Sequence, residues 1–152
     1  MLLNRSYMML KRLPASHAVM MAVACLALIV ILTIVNLTAT KAAKKITLVY
    51  VGAENCAPCE NWQHNQGIAF RNSAEFERLA YREVKSPTLF DVLHDNYWPE
   101  DLRLYRQSIS RSAGVPLWLV IADDQLVMQG AGISQWQESV FPKIKSLTRA
   151  MR

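Results

Sequence analysis

Residues 46–62, ITLVYVGAENCAPCENW, contain an apolar run, a short polar turn and a pair of cysteines. The run at 46–51 is rich in β-branched residues and predicts a buried strand. The turn at 52–55 is followed by CAPC at 56–59, which leads into a segment of helical pattern. Pro58 suits an early helical position, where its missing N–H leaves no hydrogen bond unmade. The stretch therefore predicts a C-x-x-C motif at the junction between a strand and a helix.

A C-x-x-C motif at such a junction is typical of redox chemistry. Cys56 lies at the predicted helix N-terminus, where unpaired N–H groups and the helix dipole favour the thiolate. Cys59 is close enough in sequence to form a disulfide with Cys56 or to resolve a mixed disulfide on it. The other uses of the motif are an inert bridge and half of a zinc site. Zinc needs two further ligands, but Cys25 lies in an apolar run and His64 and His94 are isolated. Redox chemistry is favoured over both.

The basic charge of the chain is confined to its N-terminal part. The formal net charge is +5, and residues 1–45 hold six of the 17 Lys and Arg residues but none of the 12 Asp and Glu residues. Residues 46–152 are therefore close to neutral, and they show no basic stripe with interleaved aromatic residues. This distribution argues against a nucleic-acid partner.

Residues 18–35, AVMMAVACLALIVILTIV, form an uncharged and almost wholly apolar run. As a helix, such a run spans about 27 Å, close to the ~30 Å hydrocarbon core of a bilayer. A cleaved signal peptide is the main competitor, but its apolar region is shorter, about 7–15 residues, and ends in a small-x-small site that is not found here. We therefore predict a cytoplasmic segment at 1–17, a transmembrane signal anchor at 18–35, a linker at 36–45 and a soluble domain at 46–152.

The orientation of the anchor follows from charge and from chemistry. Lys and Arg residues flank the apolar run on both sides and favour a cytoplasmic N-terminus only slightly. A dithiol motif favours the same orientation, because thiols outside the cytoplasm need dedicated enzymes to set their redox state. The predicted location is the inner membrane, crossed once, with the C-terminal domain in the periplasm.

The remaining sequence predicts alternating helices and strands. After the motif we predict a helix to about residue 70, a capped helical restart at 72–80 and a strand at 81–84. A helix follows from Pro99 to Gly114, and then strands at 117–122 and 125–129. The last predicted helix is opened by a capping box at 134–137 and interrupted by Pro142. Residues 88–98 have no clear pattern. The order β, α, β, α, β, β, α from residue 46 predicts an open α/β sheet of mixed direction with helices on both faces.

Residues 46–152 resemble a thioredoxin-like domain, and with a single N-terminal anchor they resemble the membrane-tethered periplasmic members of that superfamily. The resemblance depends on the CAPC motif after the first core strand and on Val115-Pro116 before the strand at 117–122. In the family, the proline at this second position is cis and lies beside the dithiol, and its flanking backbone pairs with an extended segment of substrate. The resemblance therefore implies that Cys56 and Cys59 are catalytic and that Val115 and Pro116 bind substrate.

The motif departs from the family pattern at two positions. Asn55 precedes the first cysteine where thioredoxins usually carry Trp, and Tyr50 stands where they place a buried Asp thought to handle the proton of the second cysteine. Glu54, Tyr50 or a water molecule can serve that proton instead, and the sequence leaves the choice open. Ala57-Pro58 between the cysteines resembles the Gly-Pro of reducing members.

These features predict a membrane-anchored thiol-disulfide oxidoreductase that reduces disulfides of extracytoplasmic proteins. The expected partners are a protein with a disulfide or thiol, the lipid bilayer through residues 18–35, and a membrane electron donor. No metal or cofactor is expected, since the chain has no flavin or nicotinamide signature. Two alternatives stay open: a copper carrier using Cys56, Cys59 and His64 or His94, and a redox-inactive accessory subunit of a membrane assembly.

Overall fold

The computed structural model describes residues 43–151. The predicted cytoplasmic segment, the predicted anchor at 18–35, Cys25 and most of the linker lie outside these residues. Within 43–151, no helix combines the length and the apolar character needed to cross a bilayer.

Four strands form one mixed sheet in the described part of the chain. In chain order they are β1 (Ile46–Ala53), β2 (Ala80–Ser86), β3 (Leu117–Ala122) and β4 (Gln125–Ala131). Their order across the sheet is β2-β1-β3-β4; β1 and β2 run parallel, whereas β3 is antiparallel to both β1 and β4. The central strands β1 and β3 are almost wholly apolar, as burial on both faces requires. The prediction of an open sheet of mixed direction is confirmed.

Short helices connect the strands. The α-helices are α1 (Ala57–His64), α2 (Gln66–Arg71), α3 (Arg103–Gln107), α4 (Gly132–Gln135) and α5 (Phe141–Ala150), and a π-helical turn, Trp136–Val140, joins α4 to α5. Single 3₁₀ turns lie at Phe76–Arg78, Asp95–Tyr97 and Glu100–Leu102. The predicted order of strands and helices is confirmed, although several helices are shorter than the pattern indicated.

Side chains alternate along the central strands, so each face of the sheet has its own core. What we call the aromatic face packs against α1, α2 and α5 and includes Leu48, Tyr50, Trp62, Phe70, Trp118, Trp136, Val140 and Ile144. What we call the loop face packs against the segment from the end of β2 to Ile109, which contains α3, and includes Val49, Val51, Val92, Trp98, Leu102, Ile109, Leu119 and Ile121. The prediction of helices on both faces is confirmed.

The predicted helical restart at 72–80 is wrong. This segment contains only the 3₁₀ turn Phe76–Arg78, and β2 already begins at Ala80, whose side chain is exposed. Phe76 and Leu79 nevertheless pack against the core of the aromatic face. The apolar spacing thus identified two partly buried positions, but only a single 3₁₀ turn forms there before the chain enters β2.

The ends of two later helices also differ from the prediction. The helical segment after Pro99 ends at Gln107 and not at Gly114. The last helix begins at Gly132, whose φ of +82° favours glycine, and no side chain caps it, so the predicted capping box is wrong. Pro142 lies in the first turn of α5, directly after the π-helical turn, and this confirms the predicted interruption.

The chain enters the sheet at the end opposite to the cysteines. The Asp123 carboxylate, in the tight turn between β3 and β4, accepts hydrogen bonds from the N–H groups of Lys44 and Lys45 (2.9 and 3.0 Å). Asp123 and Asp124 both have positive φ angles, 48° and 63°, as a two-residue hairpin turn requires. This contact fixes the start of β1 against the β3–β4 turn.

Candidate active site

Cys56 occupies the N-cap position of α1, directly after the turn that follows β1. Its carbonyl oxygen accepts hydrogen bonds from the N–H groups of Cys59 and Glu60, both at 3.0 Å. Its sulfur accepts a further hydrogen bond from the Cys59 N–H, at 3.2 Å. First-turn N–H groups lack partners within a helix, so the cysteine sulfur takes the place of the usual capping oxygen. The predicted position of Cys56 at a helix N-terminus is confirmed.

Cys59 lies in the first turn of α1 and is joined to Cys56 by a disulfide, with Cα atoms 5.2 Å apart. Both cysteines are buried, with 3% and 1% of their surface exposed. Ala57 and Pro58 between them are exposed, and Pro58 lies in the first helical turn as predicted. The surface of the motif is therefore formed by Ala57 and Pro58.

Val115 and Pro116 lie beside the dithiol, although Val115 follows Cys56 by 59 residues. The peptide bond between them is cis, as the resemblance implied. The Val115 carbonyl oxygen is 3.8 Å from Cys56 Sγ, and the Pro116 carbonyl accepts a hydrogen bond from the Gly132 N–H at 2.8 Å. The antiparallel pairing of β1 with β3 produces this proximity, because the end of β1 lies opposite the start of β3.

This geometry supports thiol–disulfide exchange at Cys56. A thiolate at the N-cap is stabilised by the Cys59 N–H, which already contacts the sulfur, and by the positive end of the α1 dipole. Cys59 is more deeply buried, and its sulfur already reaches that of Cys56. It is therefore positioned to attack a mixed disulfide formed on Cys56.

Tyr50 is fully buried in the same core cluster as both cysteines. Its ring stacks on Trp62 with centroids 5.0 Å apart, and its hydroxyl oxygen accepts a hydrogen bond from Gln63 Nε2 at 2.9 Å. Burial raises the pKa of Tyr50 above its usual value of 10.0. At neutral pH it is a protonated phenol, which is a weak base. Tyr50 therefore contributes packing and a polar contact to α1 more than a proton acceptor.

Glu54 is exposed in the turn before Cys56. Its N–H donates to the Ser86 carbonyl oxygen at 3.0 Å, which ties this turn to the end of β2. Its carboxylate forms no hydrogen bond or ion pair with another residue of the described range. The backbone of Glu54 thus helps to hold the turn, whereas its side chain has no fixed partner among the described residues.

Two residues to which the sequence analysis assigned no role contact this site. The side-chain oxygen of Asn55 accepts a hydrogen bond from the Leu89 N–H at 2.9 Å, so the residue next to Cys56 holds the loop after β2. Gln63 bonds to Tyr50, as described above. The unusual residue before the first cysteine was a signal for Asn55, but the sequence contained no signal for Gln63.

The described residues offer no ready metal site. Between residues 43 and 151, no group of three or more His, Cys, Asp or Glu side chains is arranged to hold an ion. His64 is exposed at the end of α1, and His94 lies 3.4 Å from the Asp91 carboxylate. The copper-carrier alternative therefore has no assembled ligand set in this part of the chain.

The strand order, the dithiol at the start of the first helix and the cis-proline beside it occur together in one domain. The resemblance implied the dithiol after the first core strand and the cis-proline beside it. The described domain has a thioredoxin-like fold.

Solved structures of thioredoxins and an oxidoreductase are similar to this chain at low sequence identity. Thioredoxin Mala s 13 of Malassezia sympodialis is 11% identical over 71% of this chain and 81% of its own, with a TM-score of 0.47. The periplasmic thioredoxin SoxS of Paracoccus pantotrophus is 12% identical over 71% of this chain and 100% of its own, with a TM-score of 0.46. DsbH oxidoreductase is 19% identical over 66% and 73%, with a TM-score of 0.39. No family model and no curated protein sequence matches the chain.

Proposed function

We propose that this chain is a membrane-anchored thiol-disulfide oxidoreductase that reduces disulfides of protein substrates outside the cytoplasm. The position of the Cys56 sulfur carries the proposal: it caps α1, contacts the Cys59 N–H and lies 3.8 Å from the Val115 carbonyl oxygen. One site thereby holds a nucleophilic sulfur, a resolving sulfur and a backbone segment suited to pairing with substrate.

The reaction begins with the reduced dithiol. The Cys56 thiolate attacks one sulfur of a substrate disulfide held against the Val115-Pro116 segment. A new S–S bond forms to Cys56, the substrate bond breaks, and the departing substrate sulfur takes a proton. Cys59 then gives up its proton and attacks Cys56, which releases the second substrate sulfur and leaves the Cys56–Cys59 disulfide. The substrate has gained two electrons and the dithiol has lost two.

Turnover needs a second reaction that reduces the Cys56–Cys59 disulfide. We assign this step to an electron donor in the membrane, because the chain has no flavin or nicotinamide signature. The proposed anchor at 18–35 would keep the domain near such a donor, with residues 1–17 in the cytoplasm and the domain in the periplasm. The Ala57-Pro58 pair supports the reducing direction through its resemblance to the Gly-Pro of reducing members.

The reduction potential tests the proposal. The full-length chain, carrying Cys25→Ser so that only two thiols titrate, is purified in detergent and equilibrated in dithiothreitol or glutathione buffers. A single two-electron transition near about −270 mV is expected for a reductant. A value near about −120 mV would reverse the direction of electron flow. If no reversible Cys56–Cys59 couple is found, the oxidoreductase proposal fails and the accessory-subunit alternative takes its place.

The location is tested independently of the chemistry. Alkaline phosphatase fused after Arg152 is active only when it is exported, so a high activity is expected from the fusion in a Gram-negative host. A fusion at the same point to a reporter that is fluorescent only in the cytoplasm is the matched control. Fluorescence without phosphatase activity would contradict the periplasmic location.

A further inference from the structure

The segment that follows β2, residues 87–94, is a well-held loop. The Ser86 hydroxyl donates to the Thr88 carbonyl oxygen, and the Thr88 hydroxyl donates to the Asp91 carboxylate, both at 2.7 Å. Val92 is buried in the core of the loop face, and its carbonyl oxygen accepts a hydrogen bond from Trp98 Nε1 at 2.8 Å. The loop is therefore built around internal hydrogen bonds and one core anchor.

The 87–94 loop is also attached to the active-site turn. The Leu89 N–H donates to the side-chain oxygen of Asn55 at 2.9 Å, and the Glu54 N–H donates to the carbonyl oxygen of Ser86 at 3.0 Å. Asn55 directly precedes Cys56 in the chain. The position of the loop is thus fixed relative to the nucleophilic sulfur.

The tip of this loop exposes apolar surface. Phe90 is 90% exposed and Leu89 is 44% exposed. Ordering the loop costs conformational entropy. The exposed phenyl ring does not offset that cost, because it contributes none of the stabilisation that its burial would provide. Exposed apolar surface rimmed by polar groups is typical of an interaction site. Because Leu89 is hydrogen-bonded to Asn55, the residue before Cys56, this surface lies beside the active-site turn.

Phe90 also lines a cleft of about 580 Å³ on the loop face. Leu93 and Ile109 add apolar lining, Arg106 and Arg111 add positive charge, and no lining residue is acidic. Arg106 is paired with Asp95 at 2.6 Å. Within residues 43–151, Arg111 forms no ion pair. The cleft therefore combines an apolar wall with a cationic group that is free to meet a carboxylate.

We propose that the 87–94 loop and this cleft dock the disulfide-bearing segment of the protein that exchanges with Cys56. The segment would place a large apolar side chain against Phe90 and Leu89 and a carboxylate, further along, against Arg111. This inference rests on the proposed function and assigns it a substrate class: disulfides flanked by an apolar residue and then by an acidic one. Asn55 is the positioning residue that holds the docking surface beside the nucleophile.

The test uses the full-length chain with Cys25→Ser and Cys59→Ala, reduced and freed of reductant. Peptides whose single cysteine is disulfide-bonded to mercaptoethanol carry Phe or Ser near that cysteine and Glu or Lys beyond it. The Cys56 thiolate attacks the peptide sulfur, mercaptoethanol leaves as the thiolate and is protonated, and the peptide adduct is quantified by mass spectrometry. Each rate is divided by the rate of the same variant with 2-hydroxyethyl disulfide, a small neutral reagent.

The peptide with Phe and Glu is expected to react about tenfold faster than the peptide with Ser and Lys, since partial burial of a phenyl ring and one ion pair contribute on that scale. Phe90→Ser should remove the preference for Phe, and Arg111→Glu should reverse the preference for Glu over Lys. The matched controls are Leu104→Ser, an apolar residue that is 74% exposed, and Arg149→Glu, also exposed. Neither control residue lines the cleft, so both variants should keep the preferences.

The outcomes separate the two proposals. If the protein reacts with 2-hydroxyethyl disulfide but does not discriminate among the four peptides, the docking surface is overturned and the oxidoreductase stands. The same conclusion follows if Phe90→Ser and Leu104→Ser behave alike. If no disulfide reacts at all, the proposed function itself has failed.

The role of Asn55 has its own test. Asn55→Ala removes the acceptor for the Leu89 N–H, and the ratio between the best and the worst peptide should fall. Asn55→Asp retains an acceptor oxygen at the same place and should restore the ratio, even if its added charge slows every reaction. If Asn55→Ala keeps the same ratio between the best and the worst peptide as the parent protein, the positioning role of Asn55 is overturned.

Discussion

The aromatic face and the loop face of the sheet are filled in different ways. On the aromatic face, the rings of Trp62, Trp118 and Trp136 contact one another with centroids 4.9–5.2 Å apart. On the loop face, aliphatic side chains of β1 and β3 meet a segment of turns, 3₁₀ turns and the five-residue α3. Close aromatic pairs each contribute about 0.5–1.5 kcal/mol beyond the area that they bury. One face thus holds the dithiol helix, and the other holds the loop that we propose as a docking surface.

The largest expected effect is at the dithiol that α1 holds. Cys56→Ala removes the nucleophile and should lower the rate of peptide disulfide reduction by about 10³-fold or more. Cys59→Ala should retain the first step and accumulate a mixed disulfide, which a non-reducing gel or mass spectrometry detects. Cys25→Ser is the control and should keep the full rate. A large loss in the control would contradict the assignment of exchange to Cys56 and Cys59.

Removing one tryptophan from each face sharpens the comparison. Trp62→Ala and Trp98→Ala should each lower the free energy of unfolding by about 3–5 kcal/mol, because both side chains are buried. Their effects on folded protein should differ. Trp62→Ala should slow exchange with 2-hydroxyethyl disulfide, because Trp62 packs α1 against the sheet, whereas Trp98→Ala should weaken the preference among peptides, because Trp98 holds Val92 in the 87–94 loop.

The measurements are urea unfolding of the full-length chain in detergent and rates normalised to the folded fraction. Equal effects of the two variants on both kinds of rate would remove the distinction between the faces.

A smaller effect is expected at the end of the sheet that is distant from the dithiol. Asp123→Ala removes the acceptor shared by the N–H groups of Lys44 and Lys45, and should lower the free energy of unfolding by about 1 kcal/mol. Asp123→Asn retains an acceptor oxygen and tolerates the positive φ, so it should recover most of the loss. The rate of disulfide exchange per folded molecule should be the same in Asp123→Ala and Asp123→Asn. A lower rate in only one of them would show that this end of the sheet influences the active site.

The smallest effect concerns Glu83 on the edge strand β2. Partial burial raises its pKa, but hydrogen bonds from Lys85 and Tyr81, both 2.9 Å, lower it by more, so the net pKa lies below its usual 4.5. A carboxyl whose pKa is lowered by folding stabilises the protein above its unfolded pKa, and that contribution is lost as the pH falls through the folded pKa. The Glu83→Gln variant should therefore lose less free energy of unfolding than the wild type as the pH falls below about 4.5. The difference should be less than about 1 kcal/mol, because the Glu83–Lys85 pair is partly exposed.

Glu77→Gln, at an exposed carboxyl without an ion pair in the described range, is the control for this pH dependence. Unfolding free energies measured between pH 3 and 7, a range of about four units around the ordinary carboxyl pKa, provide the comparison. If the free energy of unfolding falls in the same way at acid pH in Glu83→Gln and Glu77→Gln, an interaction of Glu83 in the folded state is contradicted.

The sequence predicted the central strands well, because short apolar runs rich in β-branched residues favour buried strands. β1 and β3 appear where the runs at 46–51 and 117–122 placed them. The helix ends were predicted poorly, because a glycine with positive φ at 132 and a strand that begins at 80 depend on neighbours that local pattern does not reveal. The resemblance, and not the local pattern, implied that Val115 and Pro116 lie beside Cys56.

The sequence by itself determined the dithiol motif, the strand before it and the helix after it, because capping, proline placement and apolar runs act over a few residues. Only the tertiary structure decided which distant groups meet that motif. Asn55 and Leu89 are 34 residues apart, and their hydrogen bond exists because β2 pairs in parallel with β1 and ends beside the active-site turn. Such contacts depend on which distant strands become neighbours in the sheet and in which direction they pair, and no single run of side chains specifies that.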